Sequence, residues 1–222
     1  MRIQLSPIRL FAIILLIALL LALIQMGLVS LVFAKLGLSP AQGMLLLLFS
    51  LFGSILNLPL TSIKAELPDS EIKIETVQGV LRIPMPPFKG KTLIAINVGG
   101  CLIPLVFSAS LIHRFPLGLP ELLISVSLCS IICFLASRPI PGVGIGMMPF
   151  IAPITAAIIA ITYGGEYAAP LAYITGTLGV IIGADIMHMK DIAKLGTPVA
   201  AIGGAGTFDG IFLTGIVAVL LT

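Results

Sequence analysis

Long apolar runs recur along the whole chain, separated by short clusters of Gly, Pro and charged residues. The runs are continuous rather than alternating, so they predict membrane-crossing helices and not the strands of a β-barrel. They place seven spans at about 8–33, 41–60, 92–112, 119–137, 147–162, 168–188 and 207–221. The expected fold is therefore all-α: a polytopic membrane protein forming one transmembrane domain over residues 1–222. The first run follows Arg2 and Arg9, exceeds the roughly 7–15 apolar residues of a signal peptide and ends without an A-x-A site, which predicts an uncleaved anchor.

One sizeable polar stretch interrupts this pattern, residues 61–91. Ile72 and Ile74, then Val80, Leu81 and Ile83 around Gln78-Gly79, suggest a small β-hairpin that PMPP closes. A solvated loop on the membrane surface is the other reading. Residues 138–147, within SRPIPGVGIGMMP, carry too many Pro and Gly for a regular helix and suggest a re-entrant or interfacial loop.

Composition agrees with a bilayer protein, with 59% hydrophobic and 9% charged residues and a mean hydropathy of +1.22. Charge also orients it. With the N-terminus inside, Arg2, Arg9, Lys64, Lys73, Arg82, Lys89, Lys91, Arg138, Lys190 and Lys194 fall on the inner side. Only Lys35 and Arg114 fall outside, a strong positive-inside bias that puts the C-terminus outside. The net charge of +3 is thus explained without a nucleic-acid partner. Cys101, Cys129 and Cys133 lie in apolar segments and read as small core residues, not as a disulfide or metal site.

Candidate chemistry comes from polar groups inside the spans. Asn97 sits beside Gly99-Gly100, as packing glue or as a substrate contact. The sixth span ends GTLGVIIGADIMHMKD and the seventh begins GGAGTFDGIFLTGIVAV. Running in opposite directions, they carry Asp185 and Asp209 to a similar depth near the inner face. Asp185 lies toward a helix C-terminus, where the macrodipole disfavours an anion, and Asp209 toward an N-terminus, where it favours one. A pair so placed could share one proton, as peptide hydrolysis by two carboxylates requires.

Small-residue stripes accompany both spans, Thr175, Gly179 and Gly183 on one and Gly206, Gly210, Thr214 and Ala218 on the other. Asp185 falls well round a regular helix from its stripe, so the helix loosens at Gly183-Ala184 or meets different neighbours on two sides. Thr207 could cap the seventh helix. Asp185, His188 and Asp191 form D-x-x-H-x-x-D, but Asp191 lies about 120° round a helix from Asp185, so no metal site is expected.

INVGG, PGVGI, GTLGVIIGAD and GGAGTFDGIFLTGI together resemble an archaeal and bacterial integral-membrane family, catalogued as domain of unknown function 1614. A more distant resemblance is to the presenilin and signal-peptide-peptidase class of intramembrane aspartyl proteases. That class carries one Asp on its sixth span and one on its seventh, and the likeness implies catalytic roles for Asp185 and Asp209. Ala184 stands where the class usually has Tyr, and Phe208 and Gly206 displace its Gly-x-Gly-Asp motif. Asn97, Gly206, Thr207 and His188 are then the supporting or substrate-contacting residues.

The expected function is hydrolysis of membrane-embedded peptides, without a cofactor. The partners are the lipid bilayer and a transmembrane peptide, and the location is a prokaryotic cell membrane with the N-terminus cytoplasmic. The alternatives are an ion- or proton-coupled channel or transporter using the same Asp residues beside PIPGVGIG, and a non-enzymatic scaffold recruiting a partner through loop 61–91.

Overall fold

The computed structural model of the chain describes residues 25–64, 90–140, 144–204 and 210–222. The architecture is mostly helical, with a small sheet set against one end of the helices. Helix α1, described over Gln25–Lys35, meets α2 (Pro40–Gly53) at a bend of 103°. The corner is built by the sequence LGLSPAQ. Gly37 takes a left-handed φ of 70°. Ser39 and Gln42 then form a reciprocal capping box, with Pro40 in the first turn of α2.

Strand β1 (Asn57–Lys64) follows and pairs antiparallel with β2 (Lys91–Asn97). Residues 57–60 and 92–97 are therefore extended, where the hydrophobic pattern placed helical spans. Short apolar runs such as TLIAIN fit a buried strand as well as a helix, and periodicity alone does not separate the two. Pro59 sits on the outer strand, where its missing N–H costs no ladder bond, and Leu60 forms a bulge beside it. The hairpin proposed over 72–83 lies outside the described residues.

A π turn, Val98–Leu102, leads from β2 into α3 (Ile103–Arg114). Helix α4 (Leu119–Ala136) is followed by a short hairpin of β3 (Arg138–Ile140) and β4 (Gly144–Gly146). The proposed loop at 138–147 is thus an antiparallel hairpin in its described residues. Helices α5 (Ile151–Tyr163) and α6 (Ala168–Val180) come next. A second π turn, Ile181–Ile186, and a 3-10 turn, Met189–Lys194, lead to β5 (Val199–Ile202), and α7 (Gly210–Leu221) closes the chain. β5 pairs parallel with β2, giving the order β1-β2-β5.

Two helices are long and apolar enough to cross a membrane, Leu119–Ala136 and Gly165–Ile186, or three if α1 and α2 form one bent span. These make the chain a membrane protein by length and composition. The other apolar helices, Val98–Arg114, Ile151–Tyr163 and Ile211–Leu221, are shorter.

Helix α6 is the axis of the bundle, with Pro170 through Thr177 all buried. Its small residues explain why four helices can surround it. Gly179 faces Cys129, Gly183 lies under the Ser130 carbonyl of α4, and Gly176 faces Thr214 of α7. Across the same contact Gly215 of α7 accepts the Tyr173 ring, which also meets Phe107 edge-on at 4.9 Å. Close backbone approach of this kind is how apolar helices associate where water supplies no driving force.

Candidate functional site

Asp185 belongs to the π turn that ends α6. The helix does loosen after Gly183: Met187 N–H bonds Ile182 O, five residues back, at 2.9 Å. Asp185 thus stands in a widened turn, away from the stripe that packs on α4. Its Oδ2 accepts the backbone N–H of Gly203 at 2.9 Å. Gly203 has a φ of 72°, and a Cβ there would stand 2.6 Å from Cys101 Cβ and 2.8 Å from Cys101 N. The chain turns sharply at Gly203 because the first π turn lies against it, and that turn aims its amide at the carboxylate.

Asp185 borders a cavity of about 520 Å³, within the usual range for a ligand site. Its walls include all of β4, all of β5, and Ile211, Leu213, Thr214 and Val217 of α7. Among the described residues β4 and β5 are both edge strands, each paired with one neighbouring strand. In a parallel ladder alternate residues turn their amide and carbonyl to the same side. Leu93 N–H bonds Pro198 O at 2.9 Å, so Ala200 and Ile202 face β2, while Val199 and Ala201 turn their polar backbone the other way. Gly204 N–H already bonds the Ala201 carbonyl at 3.1 Å, and Gly203 N–H is held by Asp185. Ala201 is bridged to Gly204, so the Val199 amide and carbonyl are the groups that remain turned to that edge.

Of the other anticipated residues, Asn97 ends β2, buried, and ties three groups together. Its Nδ2 donates to the Ser54 carbonyl at 2.7 Å and to Asn57 Oδ1 at 3.0 Å, and its Oδ1 accepts Gly100 N–H at 2.7 Å. These are the contacts of packing glue. His188 is buried, its ring 4.6 Å from that of Phe134 and its Nδ1 3.3 Å from the Gly183 carbonyl oxygen. Asp191 pairs with Lys194 at 3.3 Å. D-x-x-H-x-x-D therefore does not converge, and among the described residues no three ligating side chains could hold a metal ion. Asp209, Gly206 and Thr207 lie outside the described residues. Cys129 and Cys133 are buried with sulfurs 4.0 Å apart, one turn along α4, and all three cysteines are free.

Gly203 and β5 were not anticipated as parts of the site. A signal existed: Val199-Ala-Ala-Ile202 is a four-residue apolar run between Thr-Pro and Gly-Gly, a short strand bounded by turn residues.

A family model described as "Protein of unknown function (DUF1614)" matches residues 51–221. No curated protein and no solved structure matches the chain.

Proposed function

We propose, starting from the premise that this chain belongs to the DUF1614 family of proteins of unknown function, that it hydrolyses peptide bonds of membrane-embedded substrates with a pair of aspartates. The observation that carries this reading is the carboxylate of Asp185 at a cavity walled by an open strand edge. Strand addition is the usual way a protein holds an extended peptide, using the peptide's own amides for affinity. Val199 offers a matching donor and acceptor in the cavity that Asp185 borders. The second carboxylate is assigned to Asp209, which directly precedes α7. Ile211, two residues further on, borders the same cavity.

In the reaction, one aspartate accepts a proton from water as the water oxygen bonds to the peptide carbonyl carbon. The protonated partner donates a hydrogen bond to the carbonyl oxygen. Collapse of the tetrahedral intermediate breaks the C–N bond, and the departing amine takes a proton. A coupled pair of this kind titrates as a unit.

The seven-span arrangement with a cytoplasmic N-terminus, in a prokaryotic cell membrane, belongs to this proposal. Charge supports it. Lys64, Lys91, Arg138, Lys190 and Lys194 all lie at the sheet end of the helices, where α4 and α6 finish and α3 and α7 begin. Lys35 and Arg114 lie at the other end, with Lys35 Nζ 3.4 Å from the Val219 carbonyl and the Arg114 guanidinium close to Gly37. That asymmetry fits a cytoplasmic sheet end.

Cleavage of a model transmembrane peptide by the purified chain tests the proposal. Asp185→Asn and Asp209→Asn should each abolish it, and full cleavage by either variant would end the reading. The cavity also places the Gly144–Gly146 backbone on the same wall system as Asp185, which is what supports the second reading, a cation or proton pathway. Ion flux into liposomes that depends on Asp185, with no cleavage, would select it.

A further inference from the structure

We propose that the outer face of the β1-β2-β5 sheet binds the headgroup of an anionic phospholipid between Lys64 and Lys91. The register sets these two lysines directly opposite each other on neighbouring antiparallel strands. Side chains so paired share one face with Cβ atoms about 5 Å apart, and like charges there repel. Both are exposed. Among the described residues the one ion pair is Lys194 with Asp191, so neither lysine of this pair is balanced by an acid there. Within the connecting segment 65–89, four acids (Glu66, Asp69, Glu71, Glu75) stand against Lys73, Arg82 and Lys89 and nearly cancel.

The same face continues from charge into apolar surface. Ser62 pairs with Leu93 and Leu93 with Val199, so these side chains share the face of the two lysines. Leu93 is 37% and Val199 43% exposed. On the reverse face Thr92 and Ile94 are 0% and 2% exposed, because that side rests on the core. Two ammonium groups at the border of an uncovered apolar strip match a phosphate that is tethered to acyl chains. A soluble phosphate would use the charge and leave Leu93 and Val199 in water. Placing a single phosphodiester charge between the lysines also removes the repulsion that the register creates.

The test uses the full chain in detergent micelles, with retained lipid counted by native mass spectrometry. The probes are phosphatidylglycerol and, as the zwitterionic control, phosphatidylcholine. A surface lysine near anionic lipid contributes about fivefold in affinity, so Lys64→Gln with Lys91→Gln should weaken phosphatidylglycerol retention roughly 25-fold and leave phosphatidylcholine unchanged. Lys64→Glu guards against a folding artefact. It converts the repelling pair into an attracting one, so it should keep or raise Tm while still losing the lipid. Unchanged phosphatidylglycerol binding in both variants would overturn the proposal. Complete displacement of the lipid by millimolar inorganic phosphate would overturn it too, by showing a soluble-anion site.

Discussion

Gly203 donates its backbone N–H to the carboxylate of Asp185 across a separation of 18 residues, at 2.9 Å. The bond joins the end of α6 to the end of β5 and fixes the carboxylate against the cavity wall. It depends on a residue with no side chain, since the left-handed φ and the contact with Cys101 both exclude a Cβ. Gly203→Ala should therefore cost about 2–4 kcal/mol, read as a drop in Tm by thermal unfolding in detergent. Proteolysis, if the chain performs it, should fall further than the folded fraction does, because Asp185 loses its fixed donor. An unchanged Tm would mean that the turn at Gly203 is not held as described.

How far this site could be read beforehand varied with the residue. Asp185 stood out because a carboxylate in an apolar run is costly, and the angle between Asp185 and its stripe left two readings open, a loosened helix or different neighbours on two sides. Gly179 and Gly183 of the first stripe met α4, and Thr214 of the second met Gly176 of α6. The strands were hidden because the apolar LIAI of TLIAIN shows no alternation and the apolar run resumes into α3, so neither length nor period marks the change at Asn97. Gly203 was hidden for another reason: its part in the site is a backbone amide, and that depends on where the tertiary fold turns the chain.

Glycine positions also separate packing from mere flexibility. Gly99, in the first π turn, lies against the Ser50 carbonyl and the Ser54 amide of α2, and its own carbonyl accepts the Ser50 hydroxyl at 2.6 Å. An alanine Cβ would press on backbone that cannot move aside, so Gly99→Ala should destabilise by about 3 kcal/mol. Gly27, in α1, has nothing within 4 Å of such a Cβ. Gly27→Ala should stabilise the helix by about 0.5–1 kcal/mol. Opposite signs in the two Tm shifts are the expected result.

Thr175 lies in the centre of α6, fully buried, with no hydrogen-bond partner for its hydroxyl in the described structure. Valine has nearly the same shape without the polar atom. Because a buried unpaired hydroxyl costs about 1–3 kcal/mol, Thr175→Val should raise stability by roughly 1 kcal/mol. A lower Tm in this variant would indicate a water or partner group at the hydroxyl.

Asn97 tests the division between holding the fold and touching substrate. Its side chain joins the end of α2, the start of β1 and the first π turn through three hydrogen bonds, all internal to the protein. Truncation leaves the Ser54 carbonyl and the Gly100 amide without that partner, and buried groups so abandoned cost about 1–3 kcal/mol each. Asn97→Ala should therefore lower stability by about 2–4 kcal/mol, while Asn97→Asp keeps the acceptor for Gly100 and loses the two donated bonds. If proteolysis is observed, kcat/KM per folded molecule should be unchanged in Asn97→Ala, measured below its unfolding transition. A selective rise in KM with Tm preserved would instead place Asn97 in contact with the substrate, against its three internal bonds.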